Sequence, residues 1–343
     1  MASDQTKPPR AENSKISDEE LFALAPAVLV NHRTRRYHGD DRALSMDDFV
    51  AADRVIVRDL YALMLRLFAV LRGDGEERDR AARAFIAQLD TGKLFVMVRT
   101  LGAESYRTSP SPLMAKTLHD VRGGGLSPLL GHLELLQARP HAAVPGDALY
   151  FLTRDHLKIM RNALLGLDDG QRNADLEVKL HGTDLLVEKW GQTRLPADGR
   201  EVRIAVSCLQ DVAIAECCVE FGALDRILYN LMNNASRHTE GDVIRLVLFP
   251  IPDRQGENLR FVLINEVSAA DRSYLQNKDL RTLFTAGVST TGSGYGLNVA
   301  AEFVSSAFGL TTPEAAVERA YLGARLLHEQ FVIWFHWPII GEV

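Results

Sequence analysis

The stretch LYNLMNNASRHT, residues 228–239, decides the fold class of this chain. It lies in a predicted helix, 221–238, in which Asn230 and Asn234 stand four positions apart and therefore share one face. Amide oxygens are hard ligands suited to Mg²⁺, and Arg237 and His238 follow within one turn, with side chains that can meet a phosphate. Because asparagine is an indifferent helix former, the pair indicates either a ligand site or simply a polar helix face.

A second stretch, TTGSGYGL at residues 290–297, has three alternating glycines: Gly292, Gly294 and Gly296. Such glycines let backbone N–H groups approach phosphates, and the N-terminus of the predicted helix 297–308 adds positive potential. A lone glycine-rich turn is a weak signal. Here it follows the asparagine helix and precedes a last predicted strand, 331–335, and this order strengthens it.

The segments around these two stretches mix strands with helices. We predict a helix at 177–190 and further strands at 202–207, 243–249 and 259–265. Elements mixed in this way predict an α+β fold in which the C-terminal region is a two-layer sandwich.

Upstream lies a predicted antiparallel helical hairpin with two apolar stripes. The first stripe consists of Leu126, Leu129, Leu130, Leu133 and Leu136, and the second of Leu149, Leu152, His156, Ile159, Ala163 and Leu167. Two such helices cannot bury both stripes by themselves. We therefore predict a homodimer in which two hairpins form a four-helix bundle.

Taken together, residues 200–338 resemble the catalytic, ATP-binding domain of sensor histidine kinases, members of the GHKL superfamily. The stretch 228–239 is similar to the asparagine-containing helix of that family. The segment LFTAGVSTT, residues 283–291, is similar to its phenylalanine-containing segment, and the glycines after it are similar to its glycine motif. The resemblance implies a Bergerat-type ATP-binding fold with ATP and Mg²⁺ as cofactors.

The resemblance also implies roles for single residues. Asn234 would be the principal Mg²⁺ ligand with Asn230 beside it. Arg237, His238, the three glycines and Leu297 would complete the nucleotide site. One motif departs from the family, which has Asp-x-Gly-x-Gly at the adenine contact. This chain has LINEVSAA at 263–270, so Asn265 replaces the aspartate and both glycines are missing. The amide oxygen of Asn265 can still accept the adenine hydrogen bond without charge assistance, which predicts weaker binding of ATP.

The stretch LHDVRGGGLSPLLGHLELL, residues 118–136, resembles the phosphoacceptor motif of the same family. The resemblance implies that His119 is the nucleophile that attacks the γ-phosphate, with Asp120 as the neighbouring base that takes or orients the imidazole proton. Gly123 and Gly124 stand where relatives have other residues. Three consecutive glycines weaken a helix by about 1 kcal/mol each, so the hairpin should bend just after His119.

These signals divide the chain into four predicted regions: a disordered tail at 1–18, a helical sensory or partner-binding domain at 19–108, the dimerisation and phosphotransfer hairpin at 109–172, and the catalytic domain at 173–343. The helices predicted in the second region cover 53–72 and 76–88. The segment 95–99 is either a short strand or a buried helix end, because periodicity cannot decide.

Composition limits the possible settings of the protein. The 343 residues are 46% apolar and 24% charged, with a net charge of −6, which is typical of a globular protein and argues against a nucleic-acid partner. No stretch reaches the roughly 18 apolar residues of a membrane span, and the polar first twenty residues lack the apolar core of a secretory signal. We therefore expect a cytoplasmic protein without a membrane span.

The leading hypothesis is a histidine kinase that autophosphorylates His119 from Mg-ATP and passes the phosphoryl group to an aspartate of a response-regulator receiver domain. The alternative is a histidine phosphotransfer or scaffold protein with a degenerate nucleotide-binding domain, which the altered adenine motif favours. A GHKL ATPase of the chaperone or topoisomerase type, or a serine kinase acting on an anti-sigma antagonist, is a third reading, and the His119 motif argues against it.

Overall fold

The computed structural model describes residues 16–26, 29–33, 43–197, 200–251, 258–285 and 294–340. Its helices, in chain order, are α1 (Asp18–Phe22), α2 (Ala51–Leu71), α3 (Gly75–Ala87), α4 (Thr91–Thr100), α5 (Ala103–Thr108), α6 (Pro112–Arg122), α7 (Leu126–Ala138), α8 (Gly146–Ala163), α9 (Asp169–Leu176), α10 (Asp184–Gln192), α11 (Cys218–His238), α12 (Ala269–Gln276), α13 (Gly296–Phe308) and α14 (Pro313–Glu318). None of the helices in this part of the chain combines the length and apolar character that crossing a membrane requires.

The strands are β1 (Leu44–Ser45), β2 (Leu164–Leu165), β3 (His181–Gly182), β4 (Arg194–Ala197), β5 (Arg200–Cys208), β6 (Ala213–Ala215), β7 (Val243–Ile251), β8 (Asn258–Glu266), β9 (Leu322–Leu327) and β10 (Gln330–Pro338). Six of them form a mixed sheet in the order β4-β5-β7-β8-β10-β9, in which only β5 and β7 run parallel. The predicted strands at 202–207, 243–249, 259–265 and 331–335 are confirmed, as is the α+β class.

Both faces of the sheet are covered, so its central strands are apolar on both sides. In β8, every residue except the last is buried. One face packs against α11 and α13, whose apolar residues belong to the main core. The other face carries a second, smaller core, in which Ile16, Leu21 and Leu24 from the start of the described chain pack against β7, β8 and β10.

Arg260, which is fully buried in β8, fixes this N-terminal segment. Its guanidinium donates to the carbonyl oxygens of Leu21, Phe22, Ala25 and Pro26 at 2.8–3.3 Å. Further on, the backbone N–H of His32 donates to the carbonyl of Phe308. Residues 16–26 and 29–33 therefore pack on the sandwich.

Two predictions in the helical regions need correction or completion. Residues 177–183 are not helical, and α10 begins only at Asp184. Their backbone groups bond to a neighbouring segment instead, since Lys179 N donates to the Glu216 carbonyl and Thr183 N to that of Val212. The segment 95–99 lies within α4 and is a helix.

The glycine run after His119 ends a helix, as its composition predicts. Helix α6 stops at Arg122, and α7 begins at Leu126. Gly124 adopts a left-handed backbone (φ +49°), and a Cβ on Gly125 would lie 2.7 Å from the carbonyl oxygen of Leu152 in α8. The glycines therefore allow the α6–α7 junction to lie directly against α8.

The apolar stripes of the hairpin, which predict a dimeric four-helix bundle if they lack a cover, are covered within the single chain. All five leucines of the first stripe are buried within the single chain, and in the second stripe only Leu167 is partly exposed. The cover comes from α2, α11 and other elements of the same chain. The dimer itself stays a prediction, but exposed stripes no longer support it.

Candidate active site

One cavity brings together most of the residues that the sequence singled out. It lies between α6, α11, α13 and the strand end of β8. The predicted site residues that line it are His119, Asn230, Asn234, Arg237, His238, Asn265, Gly294, Gly296 and Leu297. Asp120 is not among the lining residues, and Gly292 lies outside the described residues. The hairpin and the sandwich thus share a single site.

Helix α11 supplies the polar wall of this cavity. Asn230 is buried, Asn234 is half-buried one turn later, and Arg237 and His238 lie at the more open C-terminal end. The four-residue spacing places both amides along the cavity, as predicted from the sequence. The cavity therefore has amide oxygens at its inner part and a basic side chain at its mouth.

His119 meets this wall through a direct contact. Its Nε2 lies 3.2 Å from Oδ1 of Asn230, and the imidazole is half-buried. If the amide oxygen accepts, Nε2 carries the proton. If the amide is turned over, Nδ2 donates to the lone pair of Nε2, and Nδ2 is a buried group without a hydrogen-bond partner among the described residues. In both arrangements Asn230 occupies the nitrogen that a phosphoryl group would need.

The first residue of α13 closes the space opposite His119. A Cβ added to Gly296 would lie 3.4 Å from Nε2 of His119 and 3.6 Å from Oδ1 of Asn230. Gly294, two residues earlier, has a left-handed backbone with φ +73°, which glycine adopts without strain. The start of a 13-residue helix thus lies beside the imidazole, where its N–H groups and positive dipole end favour an anion.

Asp120 lies on another side of α6 from the cavity. Its buried carboxylate accepts from Nε of Arg226 at 2.9 Å and also from the Nη2 of that arginine. Arg226 in turn lies over the ring of Phe303 from α13. The carboxylate of Asp120 bonds to Arg226, so the predicted role of Asp120 as the base for His119 requires this pair to open.

The opposite end of the cavity is furnished differently. Asn265 is buried at the end of β8, and its amide N–H donates to the carbonyl of Glu266 at 3.3 Å, which leaves the amide oxygen as an acceptor. After it the chain enters α12 instead of a glycine loop, capped by Ser268. Lining residues that the sequence did not assign to the site are Gly123, Gly124, Asn233, Ala235, Val267, Asp271, Tyr274, Leu275, Leu283 and Phe331. The apolar members would suit a flat aromatic base.

A buried charge cluster behind α11 was also missed. Lys189 of α10 is fully buried, with its Nζ 3.1 Å from Oδ2 of Asp155 in α8 and in contact with Oδ1 of Asp225 in α11. Tyr229 and Arg154 also bond to Asp155. Burial opposes ionisation of Asp155, but Lys189 and Arg154 outweigh it and hold the pKa of that carboxyl below its usual value. The signal for this cluster in the sequence is a single residue, Lys189, whose helix position is buried in the structure.

The donor set fits a magnesium ion that a nucleotide brings with it. Within the described residues there is no group of three or more His, Cys, Asp and Glu side chains that could hold a metal alone. Mg²⁺ commonly takes one or two protein oxygens and completes its shell with phosphates and water. Asn234 and Asn230 would hold such an ion through their amide oxygens.

No family model and no curated protein matches the chain. Several solved structures do. Histidine kinases are among the solved structures that match. Full-length ShkA in complex with AMPPNP shares 19% identity over 72% of this chain and 46% of its own, with a TM-score of 0.33, so the chain spans about half of ShkA.

Two more histidine kinases show the same level of likeness. The catalytic domain of ThkA shares 14% identity over 46% of this chain and 86% of its own, with a TM-score of 0.28. AdeS from Acinetobacter baumannii shares 13% identity over 74% of this chain and 96% of its own, with a TM-score of 0.30. Because these TM-scores lie below 0.5, we base the function of the chain on its own site residues.

Proposed function

We propose that this protein is a histidine kinase that transfers the γ-phosphoryl group of Mg-ATP to His119. The observation that carries the proposal is the contact of 3.2 Å between Nε2 of His119 and the amide of Asn230, inside a cavity that Asn234 and the start of α13 also line. A histidine, two metal-binding amides and a helix N-terminus at one point are the parts that phosphoryl transfer to an imidazole needs.

The transfer is a displacement at phosphorus. The Nε2 lone pair forms the N–P bond while the bond from the γ-phosphorus to the bridging oxygen of ADP breaks, and ADP leaves with those electrons. Nucleophilic attack requires the tautomer whose proton is on Nδ1, and that proton is lost to solvent or a nearby base once Nε2 carries the phosphoryl group. When bound, Mg²⁺ supplies charge neutralisation at the β- and γ-phosphate oxygens.

Other residues of this chain position the phosphates and the base of the nucleotide. Asn230 and Asn234 position the phosphate end from α11, and the first N–H groups of α13 face the charge that develops on the leaving group. Arg237 at the mouth attracts the anionic nucleotide. Asn265 accepts from the adenine amino group, and the apolar residues Val267 and Leu275 enclose the base.

We further propose the steps that follow phosphorylation of His119. The phosphoryl group would pass from His119 to an aspartate on a receiver domain of a response regulator, in a cytoplasmic, homodimeric kinase. Nε2 faces the cavity, so a receiver domain reaches it only after the nucleotide leaves and α6 or its surroundings open. The helices α2 to α5 would then be the part of the chain that receives a signal.

Incubation with γ-labelled ATP and Mg²⁺ tests the proposal. We expect label on the wild-type chain, stable to base and lost in acid as for an N–P bond, and no label on His119→Gln. The exposed His141 offers a matched control, and His141→Gln should be labelled like the wild type. Label that persists on His119→Gln, or a wild-type chain that binds ATP and stays unlabelled, would contradict the assignment.

A phosphotransfer or scaffold protein with a silent nucleotide site is the second candidate. The base end favours this candidate. Helix α12 begins shortly after Asn265 without a glycine loop between them, and the amide N–H of Asn265 donates to the carbonyl of Glu266. This candidate predicts that an already phosphorylated receiver domain labels His119 while γ-labelled ATP does not. The two incubations therefore separate the two functions.

A further inference from the structure

We infer that His119 receives its phosphoryl group from the nucleotide site of its own chain. This inference rests on the proposed function and deepens it, because it specifies which chain's histidine is the substrate. The site is complete within one chain, since His119 already lies in the cavity that its own Asn230, Asn234 and Gly296 line.

Helix α6, which carries His119, is tied to the two helices that form the phosphate end. Asp120 pairs with Arg226 of α11, and both side chains are buried. One turn before, Lys116 pairs with Glu302 of α13 with both side chains largely buried. The helix that presents the imidazole is therefore held on both sides by the helices that would hold the nucleotide.

The junction after α6 is attached to α11 as well. The Nδ2 group of Asn233, on the same helix as both metal-binding amides, donates to the carbonyl oxygen of Gly124 at 3.0 Å. On the other side, Gly125 approaches the Leu152 carbonyl so closely that no side chain fits between them. Any side chain at this position would push the junction away from α8, so the glycine run fits one docked arrangement.

The second half of the hairpin is fixed by other contacts. His132 of α7 bonds through Nε2 to the carbonyl of Arg194 at 2.7 Å, beside the close approach of Gly131 to Pro196 of β4. Helix α8 is joined to α10 and α11 by the buried cluster of Asp155, Lys189 and Asp225. These buried charges stabilise each other only while the three helices stay together.

Transfer between two chains would require a different arrangement. The α6 helix of a second chain would have to take the position that the chain's own α6 now occupies. That exchange would first break the buried pair of Asp120 and Arg226, which costs free energy before a new pair can form. It would also remove the Asn233 bond to the junction. A small shift of His119 away from Asn230 is enough for transfer within the chain.

Mixing two variants tests the inference. Asn234→Ala keeps His119 but lacks the principal metal amide, and His119→Gln keeps the nucleotide site but lacks the acceptor. The two chains carry tags of different size and are co-expressed. If they associate, they are purified together through both tags, and if they do not, they are mixed at high concentration. The mixture is then incubated with γ-labelled ATP. We expect no label on either chain. Label on the Asn234→Ala chain would show transfer between chains and overturn the inference.

A second measurement follows the wild-type chain itself, whose fold no substitution disturbs. The first-order rate constant for labelling of the wild-type chain should stay constant as the protein is diluted, and a tagged Asn234→Ala chain added in excess should remain unlabelled. A rate that falls on dilution, or label on the added chain, would contradict transfer within one chain. A wild-type chain that is never labelled would refute the proposed function instead, so the two failures can be told apart.

Discussion

The phosphate end and the base end of the cavity are built in different ways. At the phosphate end, α6, α11 and α13 meet through buried ion pairs, and the side chains that would act on a phosphate come from three helices. At the base end, a single amide, Asn265, ends a strand, and the short helix α12 lies beyond it without one buried residue. The first is supported by three helices joined through their side chains, and the second by the end of one strand and a short exposed helix.

The difference indicates that the groups acting on the phosphates depend more on the packing of the fold than the groups that hold the base. Groups that must be held within a fraction of an ångström come from helices braced by charges that water cannot reach. Groups that only hold the base in place lie on a wall that has one hydrogen-bonding side chain and several apolar ones. A nucleotide would therefore be recognised weakly at its base and strongly at its phosphates.

The largest expected effect comes from removing the brace behind the phosphate end. Lys189→Met leaves the carboxylates of Asp155 and Asp225 buried together with one cation fewer, and we expect it to lower the free energy of unfolding by about 3–5 kcal/mol. Urea unfolding followed by circular dichroism measures this change. Lys278→Met, which removes an equally charged but exposed side chain, should have almost no effect.

A paired variant sharpens this test. Adding Asp225→Asn to Lys189→Met removes one negative charge and leaves Asp155 bonded to Arg154, so the double variant should regain a large part of the lost stability. An unfolding free energy of Lys189→Met equal to that of the wild type would show that the cluster does not brace the phosphate end, and the contrast between the two ends would lose its physical basis.

A smaller effect is expected at the base end. Asn265→Ala removes the hydrogen-bond acceptor for the adenine amino group, so the Kd for ATP should rise about tenfold. Inorganic tripolyphosphate with Mg²⁺, which has no base, should bind the wild type and the variant equally. Isothermal titration calorimetry of both ligands on both proteins measures the four affinities.

The same titrations have an outcome that would contradict this role of Asn265. If Asn265→Ala weakens tripolyphosphate as much as ATP, the amide acts on the phosphates or on the fold and not on the base. The exposed Asn277 at the end of α12 provides a control, since Asn277→Ala should bind both ligands like the wild type.

Much of the phosphate end could be predicted from the sequence because its residues are close in the chain. Asn230 and Asn234 share one helix face by spacing alone, and Gly296 is the first residue of its helix. His119 is distant in sequence from both, so the placement of its imidazole against Asn230 follows from tertiary packing. A resemblance to a family could suggest this meeting, but residue spacing could not.

Other features could not be predicted because they depend on partners far along the chain. The sequence predicts a helix over 177–190, but the backbone of residues 177–183 bonds to residues 212–216, and the helix begins only at Asp184. The apolar stripes of the hairpin predict a second chain, whereas α2 and α11 of the same chain cover the stripe on α8, and α3, α4 and β4 pack against the stripe on α7. Arg260 looks like a surface residue in the sequence, and only the carbonyls of residues 21–26 explain its burial. Long-range pairs of this kind leave no local pattern.

The smallest effect concerns two buried histidines, one near each face of the sandwich. His156 lies behind the glycine run of the phosphate end, and His336 lies under the N-terminal segment, where its Nδ1 faces the Tyr321 carbonyl and its Nε2 accepts from Arg260. Burial lowers the pKa of His156 to about 3, and burial together with the charge of Arg260 lowers that of His336 to about 3. Both are therefore neutral in the folded protein.

The sign of the pH dependence follows from these pKa values. An unfolded chain protonates each histidine below pH of about 6.5, while the folded protein does not do so until about pH 3, so the stability that the neutral rings preserve is complete above 6.5 and declines as the pH falls towards 3. We expect a loss of about 1 kcal/mol for each ring over the first pH unit below 6.5. Urea unfolding as a function of pH measures it. Each of the variants His156→Leu and His336→Leu should flatten the curve of unfolding free energy against pH by a similar amount, because both rings are buried. If only His336→Leu flattens it, water reaches His156 behind the glycine run, and the phosphate end is less tightly closed than its ion pairs indicate.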